Sequence, residues 1–269
     1  MLSSAKHPGG IKEILRFAQD DVPFRVQEFA MLVLDLTLNS PAENLALDEA
    51  LLLDAEDAAQ PREVLRLWES PQTFVVLGSS SRYHDEINTP LCSAEGVPVL
   101  RRPSGGAAIL TGPGCLMYAL VLSYERHPHL QAVDLAHRHV LRRLASAIGQ
   151  RVPAVHEAGT SDLAMGDHKF SGNSLRCKRR CLLYHGTLLY DFPLEQMGRY
   201  LRTPRRQPDY RRQRPHAEFV VNLPLNRAAL VVAVREAFEA QEPLIDWPRE
   251  RTQHLVAERY TCQKWNERL

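Results

Sequence analysis

No run of apolar residues in the 269-residue chain is long enough to span a bilayer, so a transmembrane helix is not expected. Nor is there a surplus of either charge. The net charge is +1, too small to draw the whole molecule to nucleic acid or an anionic surface, so any basic patch must be local. Cysteine is scarce and unpatterned. The five, at 92, 115, 177, 181 and 262, share no ligand spacing. Cys177 and Cys181 stand four apart with no second Cys or His pair, which argues against a zinc knuckle. An odd count and the lack of a secretory leader point to reduced thiols and a cytoplasmic protein. No internal repeat is visible.

What remains is an ordinary globular composition, 44% hydrophobic and 24% charged, with length for a large core. Residues 1–30 mix Lys, Pro, Gly and Asp around one short apolar patch and read as an extension outside the fold, possessing no clear element of their own. From Met31 onward strands and helices alternate. Strands are expected over 31–36, 64–68, 73–77, 152–155, 162–165, 169–175 and 182–190. Helices are expected over 42–58, 132–148, 193–201, 226–240 and 250–260. In the first helix Leu45, Leu47, Leu51, Leu52 and Ala55 keep a helical period with acids between them. In the second, Val133, Ala136, Val140, Leu144 and Ile148 share a face, flanked by His137 and His139 as surface residues. The pattern is α+β (mixed α/β): a central mixed sheet flanked by helices. Trp265 is expected to pack back as an anchor.

Two stretches carry chemistry. The first is Arg101-Arg102-Pro103-Ser104-Gly105-Gly106-Ala107, set between apolar runs. Paired glycines admit a close backbone approach, their N–H groups can line an anion site, and arginine offers fixed donors to phosphate or carboxylate. The same pattern also fits a plain hairpin turn. Gly78-Ser79-Ser80-Ser81, leaving an earlier strand, is a second place where a ligand could dock. The other stretch is Lys169-Phe170-Ser171-Gly172-Asn173, followed by His185-Gly186-Thr187. An ammonium on a half-buried strand is costly without a partner anion, and a bound phosphate or carboxylate would supply one; snorkelling to the surface is the alternative. A third feature is the basic, proline-rich segment around Arg202, Arg205, Arg206, Arg211, Arg212 and Arg214, with Tyr200 and Tyr210 nearby.

Together these stretches resemble the lipoate–protein ligase family of the biotin/lipoate attachment superfamily. The resemblance runs over residues 31–269 and rests on four motifs in order. They are Asn44-Leu45-Ala46-Leu47-Asp48-Glu49-Ala50, the Arg101–Ile109 loop, Lys169–Asn173 with His185–Leu189, and Ala257–Tyr260 with Trp265-Asn266. It implies a fold of the class II aminoacyl-tRNA synthetase/biotin synthetase type, without a separate accessory domain after residue 269. It also implies ATP with Mg²⁺ as activator and lipoate or octanoate as acyl substrate. Apo lipoyl domains of 2-oxoacid dehydrogenase E2 subunits or glycine-cleavage H protein would be acceptors, with a separate accessory chain as a possible helper. On this resemblance Lys169 is the catalytic cation. Arg102, Ser104, Gly105, Gly106, Ala107, Gly78, Asp162, Ser171, Gly172, Asn173, His185 and Gly186 bind acyl group or nucleotide, and Asp162 is the candidate for Mg²⁺. Apolar strand residues would enclose the C8 chain at roughly 0.8 kcal/mol per buried methylene.

The chain departs from the family pattern at Ala107, which replaces a third glycine, and at Leu110-Thr111-Gly112 and Gly114-Cys115. A carrier-dependent octanoyl or lipoyl transferase is therefore a rival reading, and it requires an activated thiolate near Lys169. The positions where such enzymes carry that cysteine hold Gly159 and the Thr203-Pro204 segment here. Cys115 reads as a small buried residue. A non-catalytic acyl-binding protein or a nucleic-acid-binding module using the basic segment are further alternatives; docking of an acidic acceptor domain on that segment is the preferred reading over nucleic acid.

Overall fold

β1 (Leu32–Asp35) leads through Ser40 into α1 (Pro41–Asp57). This start follows from local chemistry: the Glu43 amide donates to Ser40 Oγ and the Ser40 amide donates to Glu43 Oε2, a reciprocal cap reinforced by Pro41 at the first helical position. β2 (Val64–Trp68) and β3 (Phe74–Leu77) follow, then the short α2 (Tyr83–Glu86) and α3 (Thr89–Ala94), β4 (Val99–Arg101), β5 (Ile109–Thr111) and the long β6 (Cys115–Ser123). Next come α4 (Val133–Gly149), β7 (Val155–Ala158), β8 (Asp162–Met165), β9 (His168–Cys177) and β10 (Cys181–Leu189). The chain closes with α5 (Glu195–Tyr200), α6 (His216–Phe219), α7 (Arg227–Ala237), β11 (Glu242–Pro243), α8 (Arg249–Leu255), a π turn over Val256–Tyr260, and α9 (Gln263–Asn266). This computed structural model describes residues 30–204 and 206–269, so the expected extension over 1–30 lies, but for Ala30, outside the described residues.

Eight strands form one mixed sheet in the order β11-β1-β2-β6-β10-β9-β8-β7, and β4-β3-β5 form a second, small one. β1 runs parallel to its neighbours β11 and β2, whereas β6, β10, β9, β8 and β7 are antiparallel. β6 and β10 pair in register over nine residues and both are buried throughout. Both their faces are covered, which explains why they read as continuous apolar runs instead of alternating ones. Period two still sorts the side chains. Leu116, Tyr118, Leu120 and Leu122 join the core under α4 and α7, while Cys115, Met117, Ala119 and Val121 face α1, α8 and the small sheet.

The expected α+β class, with a central mixed sheet flanked by helices, is the observed one. Three local expectations need correction. β7 begins at Val155 where a strand over 152–155 was expected, because Val152 still donates to the Ile148 carbonyl at the tail of α4. Val133 is exposed, so the buried face of α4 starts at Ala136. His137 is buried within that face, with Nδ1 3.0 Å from the Tyr184 hydroxyl; burial lowers its pKa. Trp265 does pack back: its Nε1 donates to the Arg101 carbonyl, and its ring lies between the Arg259 and Arg268 guanidinium groups.

Candidate active site

The loop between β4 and β5 is fixed from behind. Arg101, fully buried, donates through Nη1 to the Gly78 and Ser81 carbonyls at 2.7 Å each, through Nε to the Asn266 carbonyl, and through Nη2 to the Arg268 carbonyl. It is a strut between the β3 exit and α9, not a ligand contact, so of the adjacent arginines Arg102 is the one that lines the cavity. Gly78 is required for a steric reason. A Cβ there would lie 1.9 Å from the Gly106 carbonyl oxygen, so the two loops touch backbone to backbone. Gly106 carries the left-handed turn (φ 88°) and Ala107 does not, so the alanine in place of a third glycine causes no backbone strain.

Arg102 is buried but lies on the wall of a cavity of about 420 Å³. Its Nε donates to Ser104 Oγ and the Gly105 carbonyl, Nη1 to the Val76 carbonyl, and Nη2 to the Gly105 and Ala107 carbonyls. Much of its donor capacity therefore shapes the loop. Burial lowers its pKa to about 10 despite Glu86 nearby, so the group is a cation at neutral pH. Glu86 Oε2 accepts from the Ala108 amide and from Ser81 Oγ, closing the far side of the same loop.

β8, β9 and β10 bring the second stretch to the same cavity. Lys169 Nζ lies 2.7 Å from Asp162 Oδ1, with the lysine side chain 28% and the aspartate 8% exposed. The strand ammonium thus has a protein anion as partner where a bound ligand was expected to serve. Gly172 leaves room for the amine, since a Cβ there would stand 2.8 Å from Nζ. Tyr210 donates to the other oxygen, Asp162 Oδ2, at 2.8 Å. Burial, with Asp162 beside it, drives that phenol far above its ordinary pKa. His185 also reaches the cavity. Its Nε2 meets Ser104 Oγ at 2.5 Å, and its Nδ1 is 3.9 Å from Asp48 Oδ2. Asn173 contacts the Tyr118 hydroxyl and donates to the Ser161 carbonyl. Its Oδ1 would be 1.8 Å from a Cβ at position 186, so any side chain there would displace the Asn173 amide.

Of the sequence-derived candidates, Arg102, Gly106, Ala107, Asp162, Lys169, Ser171, Gly172, Asn173, His185 and Gly186 line one cavity. Gly78, Ser104 and Gly105 stand behind it, holding those that do. The apolar share of the wall comes from Val76, Ile109, Leu110, Met117, Phe170 and Leu189. Sequence reasoning missed a whole wall. The segment 202–220 contributes Arg202, Arg206, Gln207, Arg211, His216 and Phe219 to the cavity, so much of what was read as an external docking loop folds over the site. Its one available signal was the aromatic-arginine alternation of Tyr210, Arg211, Arg214 and Phe219, which here form a stack.

Metal binding fits poorly. Both Asp162 oxygens are occupied by Lys169 and Tyr210. Among the described residues no three His, Cys, Asp or Glu side chains gather in a way that could hold an ion. The expectation of Asp162 as a Mg²⁺ ligand is therefore not supported by its surroundings. No helix among the described residues is long and apolar enough to cross a membrane.

A mixed sheet that presents a glycine loop and a strand lysine to one partly apolar cavity has the fold of the lipoate–protein ligases. A solved lipoate-protein ligase A with bound ATP superposes with a TM-score of 0.75 at 17% identity, over 88% of this chain and 98% of that one. The Thermoplasma acidophilum ligase with bound lipoic acid superposes with a TM-score of 0.74 at 16% identity, over 89% and 100%. At the level of sequence, the chain belongs to the lipoyl protein ligase A/B catalytic domain family, whose model matches residues 40–241. A lipoate-protein ligase A candidate of Aeropyrum pernix is 33% identical over 59% of this chain and 57% of its own length. The octanoyltransferase LipM of Kyrpidia tusciae is 27% identical over 85% and 95%. The chain spans about half the length of the lipoate-protein ligases it matches.

Proposed function

We propose that this chain activates a medium-chain carboxylic acid, lipoate or octanoate, with ATP and transfers the acyl group to a lysine of an apo lipoyl domain. The observation that carries this reading is the pairing of Lys169 with Asp162 at the wall of a partly apolar cavity that Arg102 also lines. An acyl chain fills the apolar part. Its carboxylate then meets Lys169, Arg102 and the Gly106–Ala107 loop, where negative charge develops as the acyl–phosphate anhydride forms and again as an amine attacks it. A fixed cation serves both steps. An entering anion competes with Asp162 for Lys169, and Asp162 retains the Tyr210 hydroxyl as partner. The acceptor is read as the lipoyl domain of an E2 subunit or H protein, with an accessory chain as a possible helper. Support comes from a bipartite ligase and its E2 lipoyl domain from T. acidophilum, the fold of that ligase being shared here. The cytoplasmic placement rests on the odd, unpatterned set of cysteines.

The carrier-dependent transferase reading is favoured by the nearly full-length match to LipM. The chemistry of this site opposes it. None of the five cysteines lines the cavity, and Cys115 is fully buried with its thiol pushed up to about 12 by that burial, the reverse of an activated nucleophile. The test is intact-mass analysis of an apo lipoyl domain incubated with the protein, ATP and either lipoate or octanoate. An acyl mass shift that needs ATP is expected. A shift obtained from octanoyl-carrier without ATP, and blocked by thiol alkylation, would replace this reading with the transferase.

A further inference from the structure

β9 carries a row of cations away from the site. Ser174 lines the cavity and donates to the Gly105 carbonyl at 2.8 Å, and the chain runs on from it through Arg176 and Lys178 to the β9–β10 turn. Alternate strand residues share a face. The register sets Ser174 and Arg176 opposite His185 and Leu183, so both stand on the side of the sheet where Leu183 packs with Leu47 and Leu51 of α1. Lys178, whose amide donates to the Cys181 carbonyl, follows at the same spacing. The rise of a strand puts Arg176 about 7 Å and Lys178 about 13 Å beyond Ser174.

Arg268 joins the row from the other side of the Gly105 loop. Its Nη2 donates to the Ser79 carbonyl at 3.1 Å, one residue past the Gly78–Gly106 contact, and its guanidinium lies 3.8 Å from the centre of the Trp265 ring. Its Nε is buried without a hydrogen bond. Burial first, and then the Arg259 and Arg176 charges, lower its pKa, so Arg268 and Arg176 repel each other.

No acid among the described residues neutralises this row. Arg176 is exposed and Lys178 half-buried, and neither side chain forms an ion pair or hydrogen bond with a described residue. Glu56, the carboxylate at the turn, is occupied by the Arg179, Arg180 and Cys181 amides. In a chain with 33 Lys and Arg against 32 Asp and Glu, a row of like charges without an acid does not follow from overall basicity. Its repulsion is relieved when a surface of opposite sign covers it, and its length suits a protein face better than one small anion.

We infer that Arg176, Lys178 and Arg268 form the docking strip for an acidic face of the acceptor domain, and bring the target lysine to the cavity at the Ser174 end. The identity of that domain rests on the proposed acylation; the preference of the strip for an acidic protein surface does not. The strip takes the role that the sequence suggested for the 202–214 segment, much of which folds over the cavity. Exposed cations act mainly on encounter, so the effect falls on association and its salt dependence.

Calorimetry of an apo E2 lipoyl domain against the protein, without ATP or acyl acid, tests the strip. Wild type is expected to bind, and to lose affinity as salt rises from about 50 mM to about 500 mM. Arg176→Glu/Lys178→Glu should bind at least about tenfold more weakly at low salt and respond little to added salt. Its thermal midpoint and its KM for ATP and acyl acid should be unchanged, since neither side chain lines the cavity. Should that variant fail to fold, Arg176→Gln/Lys178→Gln removes the charges without reversing them, and weaker, less salt-sensitive binding then supports the strip. Equal affinity for the domain in wild type and the folded variant overturns it, as does a wild type that does not bind the domain. A single-stranded oligonucleotide that binds through Arg176 while the domain does not bind would overturn it in favour of nucleic acid. Domain binding that depends on Arg176, with no ATP-dependent acylation, would leave the strip standing and remove the ligase reading. ATP-dependent acylation by the double variant with an unchanged KM for the domain would do the opposite.

Discussion

Two charged clusters in this molecule use the same chemistry to different ends. Beneath α1, Arg66 is buried and donates to Asp48 Oδ1 at 2.5 Å, Asn44 Oδ1 at 2.6 Å, and the Asn44 and Leu36 carbonyls, while Trp68 Nε1 donates to Asp48 Oδ2. Burial lowers the Arg66 pKa and Asp48 opposes that shift. Close by, Glu49 accepts from Tyr260 at 2.6 Å and pairs with Arg259, tying α1 to the π turn. On the cavity wall Lys169 has one protein anion, and that anion is shared with Tyr210. The first cluster is sealed under α1 with Arg66 Nε alone left unpaired, and it holds elements together. The second has a partner that a ligand can replace. The difference between the two lies in access: Arg66 is sealed from solvent, while Lys169 is part-exposed at the cavity wall.

That contrast can be broken experimentally. The largest effect is expected from Asp48→Ala, which leaves Arg66 charged and uncompensated. A loss of about 3–5 kcal/mol in unfolding free energy is expected, read by urea denaturation, with a smaller drop in activity per folded molecule because Asp48 stands beside His185. Next is Lys169→Ala, which should lower the acylation rate by about 10²–10³-fold while the urea midpoint stays near wild type. A Lys169→Ala protein as unstable as Asp48→Ala would erase the distinction between the clusters. Third is Gly78→Ala. Its methyl group would collide with the Gly106 carbonyl, and forcing the loops apart should cost about 1–3 kcal/mol, with KM for the acyl acid rising because the displaced loop carries the Arg102 wall.

The smallest effect sharpens the comparison from a third region. His139 packs beside His127 and His129. Burial first, and then Arg143 and the two imidazoles, lower its pKa to about 4. The unfolded chain therefore binds more protons between pH 6.5 and about 4, and stability should fall as pH drops through that window. His139→Gln should flatten the pH dependence of the thermal midpoint there and leave acylation at neutral pH unchanged.

How much of this was legible in the sequence depended on the range of the interaction. Strand bounds such as Val64–Trp68 and Asp162–Met165 are set by neighbours a few residues away, and the expected ranges match them. The convergence of Arg102, Lys169 and His185 was anticipated through ordered motifs. Asp48 and Glu49 stand between the apolar positions of α1, and helical period alone cannot reveal their partners at Arg66, Arg259 and Tyr260. Arg101 and Arg102 look alike in a chain of letters. Only the sheet shows that successive side chains point to opposite sides, one toward α9 and one toward the cavity. The arginines of 202–214 were read as an outward face because nothing local says that Tyr210 reaches back to Asp162.

The rims of the large sheet bear on how any protein partner can be held. One outermost strand, β11, is two residues long, exposed, and contains Pro243, which has no amide to offer; the other, β7, is four residues long and turns His156 and Glu157 outward. Short, prolyl or charged margins discourage a visiting chain from adding itself as another strand. An incoming protein would accordingly be gripped by side chains around the cavity mouth, and one flexible lysine arm could enter and withdraw without any backbone ladder to unzip.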